Sequence, residues 1–177
     1  MQKRRFVEVI DKASKTLDLA LFDTVVDVGC GTGALCSVLN TKGLSVTGID
    51  PAVKMLDHAK RQPENKGVEF LLASVLEPLP FDDQSFDVSI ASYVAHGLHD
   101  KERIKMYQEM GRVTKHRVII YDYNQNRSLL TSIIEWLEGG DYFGFIKRAE
   151  NEMKTCFSEV VVMDVDSRAA WYICTPR

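Results

Sequence analysis

Val25-Val26-Asp27-Val28-Gly29-Cys30-Gly31-Thr32-Gly33 is the stretch whose reading decides the fold. Its β-branched opening suits a strand buried on both faces. Asp27 interrupts the apolar run, glycines follow at alternate positions, and Ala34-Leu35-Cys36-Ser37-Val38-Leu39 reads as a helix. Glycine accepts a positive φ and lets a ligand approach the main chain with no Cβ in the way. A helix N-terminus adds unpaired N–H groups and partial positive charge. A bare glycine triplet also suits a purely structural turn; strand, acid, glycines and helix in this order point to a nucleotide cradle.

The stretch resembles the first motif of class I S-adenosylmethionine-dependent methyltransferases, hydrophobic-Asp-hydrophobic-Gly-x-Gly-x-Gly. The resemblance implies an α/β, three-layer Rossmann-like methyltransferase fold. Its seven-stranded sheet is mostly parallel, with one antiparallel strand near the C-terminus, in a single domain spanning 1–177. It also implies S-adenosyl-L-methionine as cofactor, held in part by Asp27, Gly29, Cys30, Gly31, Thr32 and Gly33.

Downstream, Leu44-Ser45-Val46-Thr47-Gly48-Ile49-Asp50 reads as a second strand with Asp50 at its carboxyl end. Asp50 lies about 20 residues past the glycines, the spacing at which a carboxylate takes the hydroxyls of a ribose. Two acceptor oxygens match two adjacent hydroxyls. The alternative is that Asp50 caps the helix beginning near Ala52, and Pro51 at a helix start fits either reading. The run Asp50-Pro51-Ala52-Val53-Lys54-Met55-Leu56 is similar to the family's second motif, which implies that Val53 or Met55 packs on adenine; core packing suits Met55 equally.

A third strand, Val68–Ala73, ends on Ala73-Ser74, where family members commonly carry Gly-Asp and use the Asp on the adenine amine. The carboxylate is missing here, which leaves the Ser74 hydroxyl and the Val75 amide to face the base. Leu79-Pro80-Phe81 and Ser85-Phe86-Asp87 also resemble family signatures, with Asp87 tying a turn. The fourth strand, Val88–Ser92, runs into Tyr93 and His96. Carboxyl ends of strands in an open α/β sheet face the ligand crevice, so Ser92, Tyr93 and His96 are candidates for the methionine tail or the acceptor. His96 matches a position where related enzymes often carry histidine, and a near-neutral imidazole suits a general base; a hydrogen-bonded structural histidine is the other reading.

At the amino end, Phe6, Val9, Ile10, Ala13, Leu17 and Ala20 predict one amphipathic helix over 2–20. The resemblance places such a helix over the cofactor, where Arg4 or Phe6 would line the site. Glu102–Val113 reads as a helix and Arg117–Tyr121 as a fifth strand, with Asp122-Tyr123-Asn124 toward the crevice. Leu129, Leu130, Ile133, Ile134 and Leu137 predict a helix stopped by Gly139-Gly140, followed by Tyr142, Phe143 and Phe145. The segment 127–155 is either core or a substrate lid. Glu159–Val165 and Ala169–Cys174 form a terminal hairpin.

Composition narrows the partners. A net charge of −3 offers no basic surface for nucleic acid. No apolar run approaches the ~20 residues of a membrane span, and Met1-Gln2-Lys3-Arg4-Arg5 leads into no apolar core of a secretory signal. Cys30, Cys36, Cys156 and Cys174 lack the paired spacing of a zinc site, and free thiols fit a cytoplasmic setting. Neither an Asn/Asp-Pro-Pro-Tyr run nor a Pro-Cys pair occurs, and charge and length offer nothing for a polymer, which points to a small-molecule acceptor; the resemblance implies methyl transfer to it by in-line displacement. Oligomeric state stays open. Two rivals remain. Gly29, Gly31 and Ala34 also satisfy the nicotinamide Gly-x-Gly-x-x-Gly/Ala fingerprint, although no tyrosine precedes a lysine by four residues. A non-catalytic cofactor-binding module is the other.

Overall fold

The computed structural model describes residues 2–14, 16–124 and 142–177. α1 (Gln2–Ala13) is followed by β1 (Thr24–Val28), α2 (Ala34–Thr41), β2 (Ser45–Asp50), α3 (Val53–Arg61), β3 (Glu69–Leu72) and β4 (Phe86–Ser92). Then come α4 (Asp100–Val113), β5 (Thr114–Tyr123), α5 (Tyr142–Cys156), β6 (Glu159–Asp166) and β7 (Ala169–Thr175). The sheet has seven strands in the order β3-β2-β1-β4-β5-β7-β6. Neighbours from β3 through β5 pair in parallel, while β7 runs antiparallel to both β5 and β6. The expected sheet with one reversed strand is therefore present.

Alternation along β1 builds three layers. Val25 enters an apolar cluster with Phe6, Val9 and Ile10 of α1 and Leu35, Val38 and Leu39 of α2. Val26 and Val28 point the other way, into a cluster with Met106, Tyr107 and Met110 of α4 and Phe145, Ile146 and Met153 of α5. Side chains alternate across a strand, so one β-branched run feeds both faces. Phe145 is fully buried, which makes it core. The predicted helix at 129–137 and its Gly139-Gly140 stop lie outside the described residues, as does most of the segment 127–155; the Tyr142 and Phe143 side chains do too.

α1 stops at Ala13, short of the expected residue 20. Within the rest of the expected span, the Asp18 carboxylate accepts from the Ala20 N–H and starts a 3₁₀ turn over Leu19–Leu21. Asp side chains offer such local bonds in competition with helix. β4 and β5 run longer than the apolar residues alone suggested. The extra pairing begins with Phe86 opposite Thr114. Asp87 ties this end by accepting from the Asp23 and Thr24 N–H groups and the Thr24 hydroxyl. Burial works against its charge, yet the Thr24 and Asp23 amides hold the carboxyl down at about 2.

The strand order reverses at β1, with β2 on one side and β4 on the other. In open α/β sheets the ligand crevice opens outside the carboxyl ends at such a point. Gly29–Gly33, Asp50 and Ser92–Tyr93 all stand there.

Candidate functional site

Gly29, Gly31 and Gly33 adopt positive φ values of 70°, 54° and 76°. They do different work. A Cβ on Gly31 would meet nothing within 4 Å, so the loop presents bare main chain to open space only there. A Cβ on Gly29 would fall 2.5 Å from Val94 Cγ2, and one on Gly33 would fall 2.4 Å from Asn65 Nδ2 and 2.9 Å from Phe70 Cζ. Gly33 is needed for packing from behind, where buried Asn65 donates to the carbonyls of Ala59 (2.9 Å) and Thr32 (3.4 Å).

Asp50 locks the loop. Its Oδ2 accepts from the Gly31 N–H and its Oδ1 from the Ala52 N–H, both at 2.8 Å. Asp50 thus steadies the start of α3, as the capping reading expects, and the same carboxylate stands at the open glycine of the turn.

Two cavities flank Gly29. One, of about 120 Å³, is lined by Asp27, Gly29, Cys30, Gly31, Thr32 and Ser92; Gln2 and Phe6 of α1, together with Tyr93, also border it. Arg4 instead points out and pairs with Glu8 at 3.0 Å, so only Phe6 of the two expected helix residues reaches the site. Asp27 is 1% exposed. Its Oδ2 accepts from the Cys36 thiol at 3.1 Å, whereas Oδ1 and the Ser92 hydroxyl find no partner among the described residues. Burial drives the Asp27 carboxyl up to about 7, against the Cys36 thiol and with a further push from the Asp50 charge. The second cavity, about 100 Å³, is apolar and includes Gly29, Pro51, Ser74, Val75 and Val94 in its walls. Met55 lines neither; it is 46% exposed on α3.

Residues 25–117 match the family model described as a methyltransferase domain. The chain belongs to this methyltransferase family. An uncharacterised methyltransferase of Bacillus subtilis is 30% identical over 113 residues, covering 62% of this chain and 44% of that protein. A demethylmenaquinone methyltransferase of Chlorobaculum tepidum is 37% identical over 90 residues, 50% of this chain and 36% of that one. The chain spans about half the length of the first curated relatives it matches. A solved Pyrococcus horikoshii protein, 19% identical, shares the fold over 99% of this chain and 92% of its own, with a TM-score of 0.83. Family membership sets the methyltransferase reading above the nicotinamide one.

Beside the cradle of this methyltransferase domain stands a group the sequence disclosed only in part. His96 Nδ1 lies 2.8 Å from Asp122 Oδ1, and the His96 N–H donates to Asp122 Oδ2 at 3.2 Å. Asp122 is fully buried. The two are 26 residues apart and meet because β4 and β5 are parallel neighbours, Ser92 opposite Tyr121. The His96 ring packs edge-on against Tyr123 at 4.8 Å and Tyr93 at 6.2 Å. Tyr93 itself has φ +56°, a left-handed conformation uncommon outside glycine and costly enough to be concentrated at functional sites. That kink drops Val94 over Gly29 and sends the Tyr93 hydroxyl to Arg5 Nη2 of α1 at 3.1 Å. Neither Val94 nor Asn65 carried a sequence signal, since both read as ordinary core or loop. Asp122 carried a partial one, as a polar residue at a strand's carboxyl end.

Proposed function

We propose that this chain transfers a methyl group from S-adenosylmethionine to a small-molecule acceptor. The observation that carries the reading is the Asp50 carboxylate, bonded to Gly31 at the open turn. When bound, S-adenosylmethionine supplies a methyl group on a positively charged sulfur, already activated for in-line displacement.

The residues present fit such a ligand end to end. Asp27 Oδ1 and Ser92 Oγ, buried without partners among the described residues, offer acceptors to an α-ammonium group in the cavity lined by Cys30, Thr32 and Phe6. An unpaired buried acceptor is costly, and a charged donor there repays that cost. Asp50 grips the ribose hydroxyls. The apolar slot behind Pro51, Ser74 and Val75 takes the flat base. Held in line and shielded by α1, the reactants need orientation more than acid–base chemistry, and orientation is worth on the order of 7–11 kcal/mol in favourable cases.

His96 is the base for an acceptor that must lose a proton. Asp122 faces Nδ1, which fixes the tautomer that leaves Nε2 basic. A small-molecule acceptor agrees with the net charge of −3 and with the name of the demethylmenaquinone relative. Labelled methyl donor incubated with a panel of thiols, amines and hydroxyl compounds tests the reading; transfer to none of them, with S-adenosylhomocysteine bound, would leave a binding module instead. On the acceptor so found, His96→Gln is expected to lower kcat by about 10²–10⁴-fold while changing S-adenosylhomocysteine affinity less than about 3-fold. An unchanged kcat would remove His96 from the chemistry.

A further inference from the structure

The slot beside Gly29 is chemically unusual for a site meant to recognise a nucleobase. Its walls come from the ends of β1 and β2 (Val28, Ile49), from Pro51, from the turn after β3, and from Val94 and Leu98. Of the lining residues only Ser74 has a polar side chain. That hydroxyl is turned back on its own loop, where it accepts from the Leu76 N–H at 3.3 Å, while the Ser74 carbonyl accepts from the Glu77 N–H at 3.0 Å. A serine two residues before the amide it accepts from makes a small local turn, and this one closes the rim of the slot. Among the described residues no carboxylate or amide side chain lines the cavity.

We infer that this chain recognises the purine of its cofactor by the shape of an apolar slot and by main-chain groups, and that it does not read the 6-amino group. The inference rests on the proposal that S-adenosylmethionine binds here. Its consequence is a relaxed choice at one position of the ring. A site that hydrogen-bonds a substrate group rejects the analogue lacking it by about 10⁴–10⁵, because buried polar atoms are then stranded; an apolar pocket discriminates by only about 10²-fold or less. With the slot's one polar side chain already engaged by the Leu76 amide, loss of the amino group should cost little.

The test compares two ligands on the unmodified protein by calorimetry: S-adenosylhomocysteine, and its analogue with hydrogen in place of the amino group at purine position 6. The analogue keeps the ring acceptors, so contacts from main-chain N–H groups are undisturbed. The expected result is a ratio of dissociation constants below about 10-fold, within what an apolar pocket imposes. A ratio above about 100-fold, with S-adenosylhomocysteine itself bound, overturns the inference and leaves the cofactor assignment standing. Absence of S-adenosylhomocysteine binding removes both.

Discussion

Arg103→Met is expected to lower the free energy of unfolding by about 3–5 kcal/mol, the usual cost of stranding one partner of a buried ion pair. Arg103 is fully buried on α4. It holds Glu152 of α5 through two bonds, Nε to Oε2 at 2.6 Å and Nη2 to Oε1 at 2.8 Å. Its Nη1 also donates to the Leu98 carbonyl at 2.6 Å. The substitution leaves a carboxylate, 13% exposed, with the longer and more exposed Arg148 pair at 3.7 Å in place of two short bonds. For a chain this size each kcal/mol moves the melting temperature by roughly 2–4 °C, so a drop of about 10 °C is expected. Urea unfolding gives the free energy directly. Arg103→Met combined with Glu152→Leu should recover much of the loss, because an apolar pair often replaces a buried ionic one at little cost. A single-variant loss below about 1 kcal/mol would show that the pair does not clamp α4 to α5.

Asp27→Asn is expected to stabilise the protein above pH 7 and to leave it nearly unchanged at pH 4. The folded-state carboxyl sits at about 7, driven up first by burial, against about 3.9 for an unfolded Asp. Between those values the folded state binds the extra proton, so stability falls as pH rises through this window and the full penalty stands above pH 7. Holding the carboxyl that far above its unfolded value costs the ionised protein about 4 kcal/mol. Urea unfolding of both proteins at several pH values measures it; parallel curves would mean that Asp27 is already ionised at pH 5. With the ammonium group placed beside Asp27 as proposed, the same carboxyl makes ligand binding proton-linked. A cationic amine beside Oδ1 favours the ionised form, so S-adenosylhomocysteine should bind more tightly as pH rises toward 8.

The fold was legible because its signals are local. Val25–Val28 has the composition of a strand buried on both faces, the glycines mark the turn, and the terminal hairpin declares itself by two apolar runs around Asp166–Arg168. The place of Asp50 at the end of the second strand was legible in the apolar run before it. What stayed hidden depends on long-range placement. Gly33 looks like a ligand-facing glycine in sequence, yet Asn65 and Phe70 fill its notch from the interior. Val94 reads as one more apolar residue until the left-handed Tyr93 swings it over Gly29. His96 was visible as a candidate and Asp122 as a polar residue at a strand's end, but their pairing was not, because only the register of β4 on β5 brings the two together. The helix expected to reach residue 20 ends at Ala13, and beyond it Asp18 starts a separate 3₁₀ turn.

In the proposed function, the β1–α2 turn and the carboxylate ending β2 hold the cofactor's ribose. Titration of S-adenosylhomocysteine into the unmodified protein and into Asp50→Ala, both checked for cooperative unfolding, tests it most directly. Bonds to a charged acceptor are worth about 1.5–3 kcal/mol each, so loss of two should weaken binding by about 100-fold or more. Equal affinities in the two proteins would contradict the account.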